Sequence, residues 1–202
     1  MAAAPGAHGT DSPRATAGVI AGLLLAALPC LASPPDANAD IVVNVRRDGA
    51  EIVVDVDCPV DAPWPIVWEV LTDFDHMAQF ISTLDHSRVE SRTANVLRVR
   101  QTGKASRGIL SLSFDNVREV ELAEPREVRS RMVSGDLEAS VFVTRIVEAD
   151  NTARILSSGR YTSSYWVPPI VGPLLIEAGF RNQFGEIRAE ILRRSAMIRA
   201  TP

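Results

Sequence analysis

Residues 168–194 read PPIVGPLLIEAGFRNQFGEIRAEILRR, and the reading of this stretch decides the fold. Gly172 and Pro173 punctuate its start, where proline costs little because the first helical N–H groups have no partner within the helix. Ile176, Phe180, Phe184, Ile187 and Ile191 then recur at steps of four, four, three and four, the apolar stripe of an amphipathic helix. Arg181, Glu186, Arg188 and Glu190 occupy the other faces, and Arg193 and Arg194 crowd the last turn, where the helix dipole favours cations. Upstream, Asp40 to Trp166 reads mainly as strand. A long helix with two rings on its stripe, following a run of strands, needs a sheet to lie on. It is expected as the lid of a curved sheet.

Working outward, Ile41–Val45 and Glu51–Val56 alternate as strands around an Asp48-Gly49 turn. The stretch VDAPWPIVWEVLTDFDHMAQF follows. Pro63 and Pro65 suit a first helical turn with Asp61 as the capping residue, and Asp73 opens a second short helix ending near Phe80. Six more strands are expected over about 87–91, 96–102, 109–120, 127–133, 137–147 and 152–166. The turn signals between them are Thr93-Ala94-Asn95, Gly103, Glu124-Pro125, Ser134-Gly135-Asp136 and Asp150-Asn151. Strands joined by such short turns form an antiparallel meander.

The N-terminus reads as a targeting segment. Arg14 precedes an apolar run from Ala17 to Leu28, which Pro29 breaks, and this run is short of the roughly 20 residues that a membrane span needs. Ala37-Asn38-Ala39 places small residues where a signal peptidase inspects them. Residues 1–39 are therefore expected as a signal peptide, with Ala32 as the competing cleavage site, and residues 40–202 as one exported domain, periplasmic or extracellular. Charge is balanced, 21 Lys+Arg against 25 Asp+Glu. Arginines spread so evenly suit solvated strand faces and ion pairs rather than a nucleic-acid groove. Cys30 leaves with the leader and Cys58 stays alone, so no intrachain disulfide forms and the thiol reads as a small buried hydrophobe.

In this order of elements, Val60-Asp61-Ala62-Pro63, Val67-Trp68, Leu71-Thr72-Asp73-Phe74 with Phe80, the Gly135 turn and the terminal helix resemble the START-like, helix-grip (SRPBCC) superfamily. The likeness is to its polyketide cyclase/dehydrase and coenzyme Q-binding-protein branch, and it covers roughly Glu51 to Arg194. The resemblance implies an α+β helix-grip fold. In it, a curved antiparallel sheet of about six to seven strands wraps a long C-terminal helix, with two short helices after the first strand and an elongated apolar cavity between sheet and helix. It also implies a hydrophobic ligand: a lipid, a quinone or a polyketide-like molecule.

Which residues would carry chemistry? The mature chain holds two histidines, His76 and His86, both before the meander, and no HxH, HExxH or CxxC spacing, so neither a metal nor a cofactor is expected. No catalytic residue is assigned, and His86, Asp73, Tyr161 and Tyr165 are the acid–base groups that a test would address. Asp73 reads as a cap, and the serines from Ser157 to Ser164 read as strand surface. The pocket candidates are Phe114, Phe142, Tyr161, Tyr165, Trp166, Phe180 and Phe184. Phe180 and Phe184 sit where the helix would roof the interior, with core packing the equal alternative; Tyr161 and Tyr165 could orient a polar head. WVPPIVGP at 166–173 reads as a connector, with contact to a membrane surface left open. The function expected is non-catalytic binding or carriage of a hydrophobic small molecule. Two alternatives stand: a polyketide cyclase or dehydratase, and a structural or interaction protein whose own side chains fill the cavity.

Overall fold

The strands alternate inside and outside so regularly that each element follows from its apolar phase. The computed structural model describes residues 37–107, 110–123, 125–135, 137–150, 152–163 and 171–200. The chain divides into two units, Met1–Pro34 and Pro35–Pro202, and the described residues all belong to the second. β1 (Val42–Asp48) and β2 (Glu51–Val60) form a hairpin across Gly49, whose φ of +58° suits glycine. Ile52, Val54, Val56, Cys58 and Val60 of β2 all point to one buried face. α1 (Trp64–Thr72) and a 3-10 helix (Phe74–Gln79) then carry the chain to the opposite edge of the sheet. From there β3 (Leu84–Thr93), β4 (Val96–Arg107), β5 (Leu110–Ala123), β6 (Glu127–Ser134), β7 (Leu137–Ala149) and β8 (Thr152–Ser163) return as a meander. β8 closes on β2, which gives the order β1-β2-β8-β7-β6-β5-β4-β3, antiparallel throughout. The curved sheet and its long terminal helix, α2 (Val171–Ala200), make the helix-grip fold.

Three details depart from the sequence reading. The sheet has eight strands rather than six to seven, and the short helices follow the second strand, because the β1–β2 hairpin joins the sheet in full. Gly103 is not a turn. It lies inside β4 because a Cβ there would run into the Thr83 carbonyl and the Phe114 ring, so the glycine permits close approach of β3 and β5. Asp61 does not cap α1; the N-cap is Pro63, with no side-chain cap.

Along α2, Phe184, Ile187 and Ile191 are buried in one core with Ile41 and Val43 of the β1 side and Val54, Val56 and Cys58 of β2. Ile176 and Phe180, nearer its start, are only half-buried. The outer face of the sheet carries the arginines as cross-strand pairs, such as Arg100–Asp115, Arg131–Glu119 and Arg154–Asp57. Exposed pairs of this kind contribute roughly 0–1 kcal/mol each. The core, not the ion pairs, holds the helix down.

Phe184 is 7% exposed. Phe184→Ala is accordingly expected to cost about 3–5 kcal/mol, read as a fall in the urea midpoint, with little change in the affinity of an apolar probe. A large loss of probe binding at unchanged stability would move Phe184 from the core to the ligand site.

Candidate functional site

The register assigns the inner face of the sheet residue by residue. Tyr161 pairs with Ser140, Gly159 with Phe142, and Ser157 with Thr144. Phe142 in turn pairs with Ser130, Ser130 with Val120, and Met132 with Arg118. Arg118 also pairs with Val99, Asn116 with Gln101, and Gln101 with Ser87. Val99, Asn116 and Val120 are all buried, so Arg118, in phase with them, points inward too.

The apolar part of this interior is a ring stack. Phe142 lies against Phe180 of α2, centroids 5.8 Å apart and planes 24° from parallel. Gly159 makes room for it, since any side chain there would occupy the space of the Phe142 ring. Both rings stay half-buried, as does Tyr161. Burial pushes the Tyr161 phenol up to about 12, so it remains a neutral donor at physiological pH. At the α1 end, a hollow of 390 Å³ lies between Trp68, Thr72 and Asp75 on one side and Val89, Leu97 and Leu122 of the sheet on the other, with Arg92 beside it.

The polar part was hidden in the sequence. Ser87 donates to the Phe74 carbonyl at 2.5 Å, and Gln101 Nε2 donates to Ser87 Oγ at 3.2 Å. Ser157, read from sequence as surface, is instead buried on the inner face and shares a hydrogen bond of 2.9 Å with Thr144. The decisive group is Arg118. The residue as a whole is half-buried, but its Nε is sealed from solvent without a hydrogen-bond partner, and among the described residues no carboxylate pairs with the guanidinium. Burial alone lowers its pKa below the ordinary arginine value. β5 carried a legible signal: Phe114, Asn116, Arg118, Val120 and Leu122 share one phase, and an arginine in that phase must enter the interior.

Of the other sequence candidates, Phe114 is half-buried beside Gly103, away from the ring stack. Phe184 belongs to the core, while Tyr165 and Trp166 lie outside the described residues. The structure thus places Phe142, Tyr161 and Arg118 on one inner face of the sheet, with Phe180 of α2 stacked on Phe142.

The residue range 60–161 matches the profile of the family described as polyketide cyclase/dehydrase and lipid transport. The chain belongs to this family. The matched span of the family domain contains Arg118, Phe142 and Tyr161 and stops short of α2. No curated protein sequence matches the chain. Among solved structures, the domain is similar to the Zhui aromatase/cyclase of Streptomyces sp. R1128, with TM-score 0.61 and 15% identity over 71% of this chain and 95% of that one. It is also similar to a START superfamily protein of Mycobacterium smegmatis, with TM-score 0.60 and 13% identity over 70% and 97% of the two chains. A STAR-related lipid transfer protein of Xanthomonas axonopodis gives TM-score 0.57 and 11% identity over 74% and 98%. At such identities the likeness is one of fold.

The acid–base candidates take structural places in this family domain. Asp73 accepts from His76 Nδ1 at 2.6 Å and from Arg194 Nη2 at 2.6 Å. Burial opposes its charge, but those two hydrogen bonds hold the carboxyl below the usual range. Arg194 also donates to Glu69 and Glu190, so one guanidinium ties the end of α1 to α2. His86 is exposed on β3, and burial pushes the Cys58 thiol up to about 11. Among the described residues, no group of three or more His, Cys, Asp and Glu side chains is placed to hold a metal.

Glu190 completes this clamp. Hydrogen bonds from Arg193, with burial opposing and Arg194 adding a further bond, bring its carboxyl down to about 2. Because the folded value is depressed, its contribution is fully present above the ordinary glutamate pKa of about 4.3 and is lost as pH falls towards 2. Glu190→Gln is expected to cost about 1–2 kcal/mol at pH 7 and to flatten the loss of stability between pH 4.5 and 2, measured by urea titration at each pH.

Proposed function

We propose that this domain binds and carries a hydrophobic small molecule bearing an anionic or strongly polar oxygen, without transforming it. The observation that carries the reading is Arg118. A guanidinium nitrogen sealed inside a protein without a partner costs free energy that a ligand oxygen would recover. The half-buried Phe142–Phe180 stack supports an apolar body, and the neutral Tyr161 phenol adds a second donor. The export signal expected at the N-terminus supports action in the periplasm or outside the cell. The name of the Xanthomonas neighbour, a lipid transfer protein, agrees with carriage.

The non-catalytic part rests on burial and position. Cys58 and Tyr161 both stay protonated at neutral pH, and His76 is held by Asp73 at the surface. The inner face of the sheet therefore offers donors, and Asp75, the carboxylate at the α1-end hollow, is engaged by the Val89 N–H at 2.7 Å. One observation favours the cyclase alternative: an unpaired guanidinium also stabilises an enolate oxygen, and the Streptomyces neighbour is an aromatase/cyclase by name.

Arg118→Met separates these ideas from plain packing. It is expected to raise the thermal midpoint of the ligand-free protein, because an unpaired buried charge is removed. It should also weaken dodecanoate binding about tenfold or more, the worth of a charge-assisted hydrogen bond, while leaving dodecanol binding nearly unchanged. Calorimetry with both ligands checks this. Equal loss for the two would remove the anionic head from the proposal. Mass analysis after incubation with aliphatic diketones is expected to find no product, and product that vanishes in Arg118→Met would promote the cyclase.

A further inference from the structure

The expected signal-peptidase site, Ala37-Asn38-Ala39, is folded onto α2. Arg188 Nη2 donates to the Ala37 carbonyl at 2.5 Å and to Asn38 Oδ1 at 3.2 Å, while Nη1 donates to both Asp40 oxygens at 2.8 Å. This arginine side chain is only 11% exposed, so water is a poor substitute for those partners. The Asn38 side chain fills the space above the buried Gly185, where a Cβ would collide with its amide. The Asn38 carbonyl accepts from Ile41 N at 3.0 Å, and Arg181 Nε donates to the Ile41 carbonyl at 3.2 Å. Cleavage after Ala39 would delete two of the Arg188 acceptors and empty the space over Gly185.

We infer that the leader is removed upstream of this turn, at the Ala32–Ser33 bond, and that Ala37–Asp40 is a clip of the mature domain. Water adds across that amide, leaving a carboxylate on Ala32 and an amine on Ser33, with a membrane-bound signal peptidase as the catalyst. The peptidase meets an unfolded chain, so the clip does not choose the bond; it makes Ala37–Ala39 part of the mature fold. Reach chooses the bond. Ala32 is four residues beyond Leu28, the end of the apolar run, and Ala39 is eleven. At most about 14 Å separates the first from the membrane-embedded run, against up to about 38 Å for the second. Ala32 also supplies the small residue that the enzyme needs.

The test expresses the full chain in a Gram-negative host and weighs the periplasmic protein. A mass starting at Ser33 is expected; one starting at Asp40 overturns the proposal, and an uncut chain starting at Met1 overturns export itself. Ala32→Leu should accumulate precursor, and Ala39→Leu should be processed as before, with the reverse pattern decisive against the site. The clip has its own readout: a chain beginning at Asp40 should melt about 3–8 °C below one beginning at Ser33. Equal midpoints would show that the turn contributes nothing to the mature domain.

Discussion

One helix is too narrow for the face that it must cover. Eight antiparallel strands spaced about 4.8 Å apart present an inner face roughly 34 Å across, and a helix with its side chains is about 10 Å wide. Curvature brings the edges closer without removing the mismatch. α2 resolves it on one side by seating Phe184, Ile187 and Ile191 against β1 and β2, with α1 filling in beside it. The β4–β7 side of the inner face is left to the start of α2, where Ile176 and Phe180 remain half-buried. An incompletely covered inner face is the geometric remainder of a fold built from one sheet and one long helix.

The helix position must then be fixed, since a sliding lid would close that remainder. Two clamps of different chemistry do this. Near its C-terminal end, Arg194 joins Glu69, Asp73 and Glu190, locking α2 to α1 and to the 3-10 helix. In its middle, Arg188 holds the turn before β1. Both guanidiniums are mostly buried and each has several partners. A buried, paired arginine discriminates strongly between right and wrong docking, because any displacement strands a charge.

Against these two, Arg118 stands out as the inward arginine that no carboxylate of the described residues answers. It also explains what sequence reading could and could not see. The α2 stripe, the meander and the turns at Gly49 and Gly135 were legible because they depend on local period and local backbone chemistry. The rings Phe142, Phe180 and Tyr161 were legible as large apolar groups on inward phases. Gly103 and Gly159 were not, because both serve close approach by residues far off in the chain, and a glycine reads the same whether it makes a turn or a space. Ser157 was lost among surface serines, as its partner Thr144 is on another strand. Arg118 was missed for a different reason: a chain rich in outward arginines hides an inward one unless the strand phase is followed residue by residue.

The interior's chemistry has a direction. Arg118 and the Tyr161 hydroxyl bring donors to the inner face, while the Ser87 hydroxyl is already committed to the Phe74 carbonyl. Such a face favours oxygen-rich acceptors and disfavours cations. Desolvation sharpens the preference, because the burial that makes the guanidinium costly when alone also strengthens its attraction for an oxyanion. The same burial raises the Tyr161 and Cys58 values to about 12 and about 11, which removes them as proton acceptors at neutral pH. Low dielectric therefore acts twice, strengthening the pull of the guanidinium on an oxyanion and keeping the phenol and the thiol protonated. On the reading proposed above, a site of that kind holds and polarises a carbonyl compound rather than transforming it.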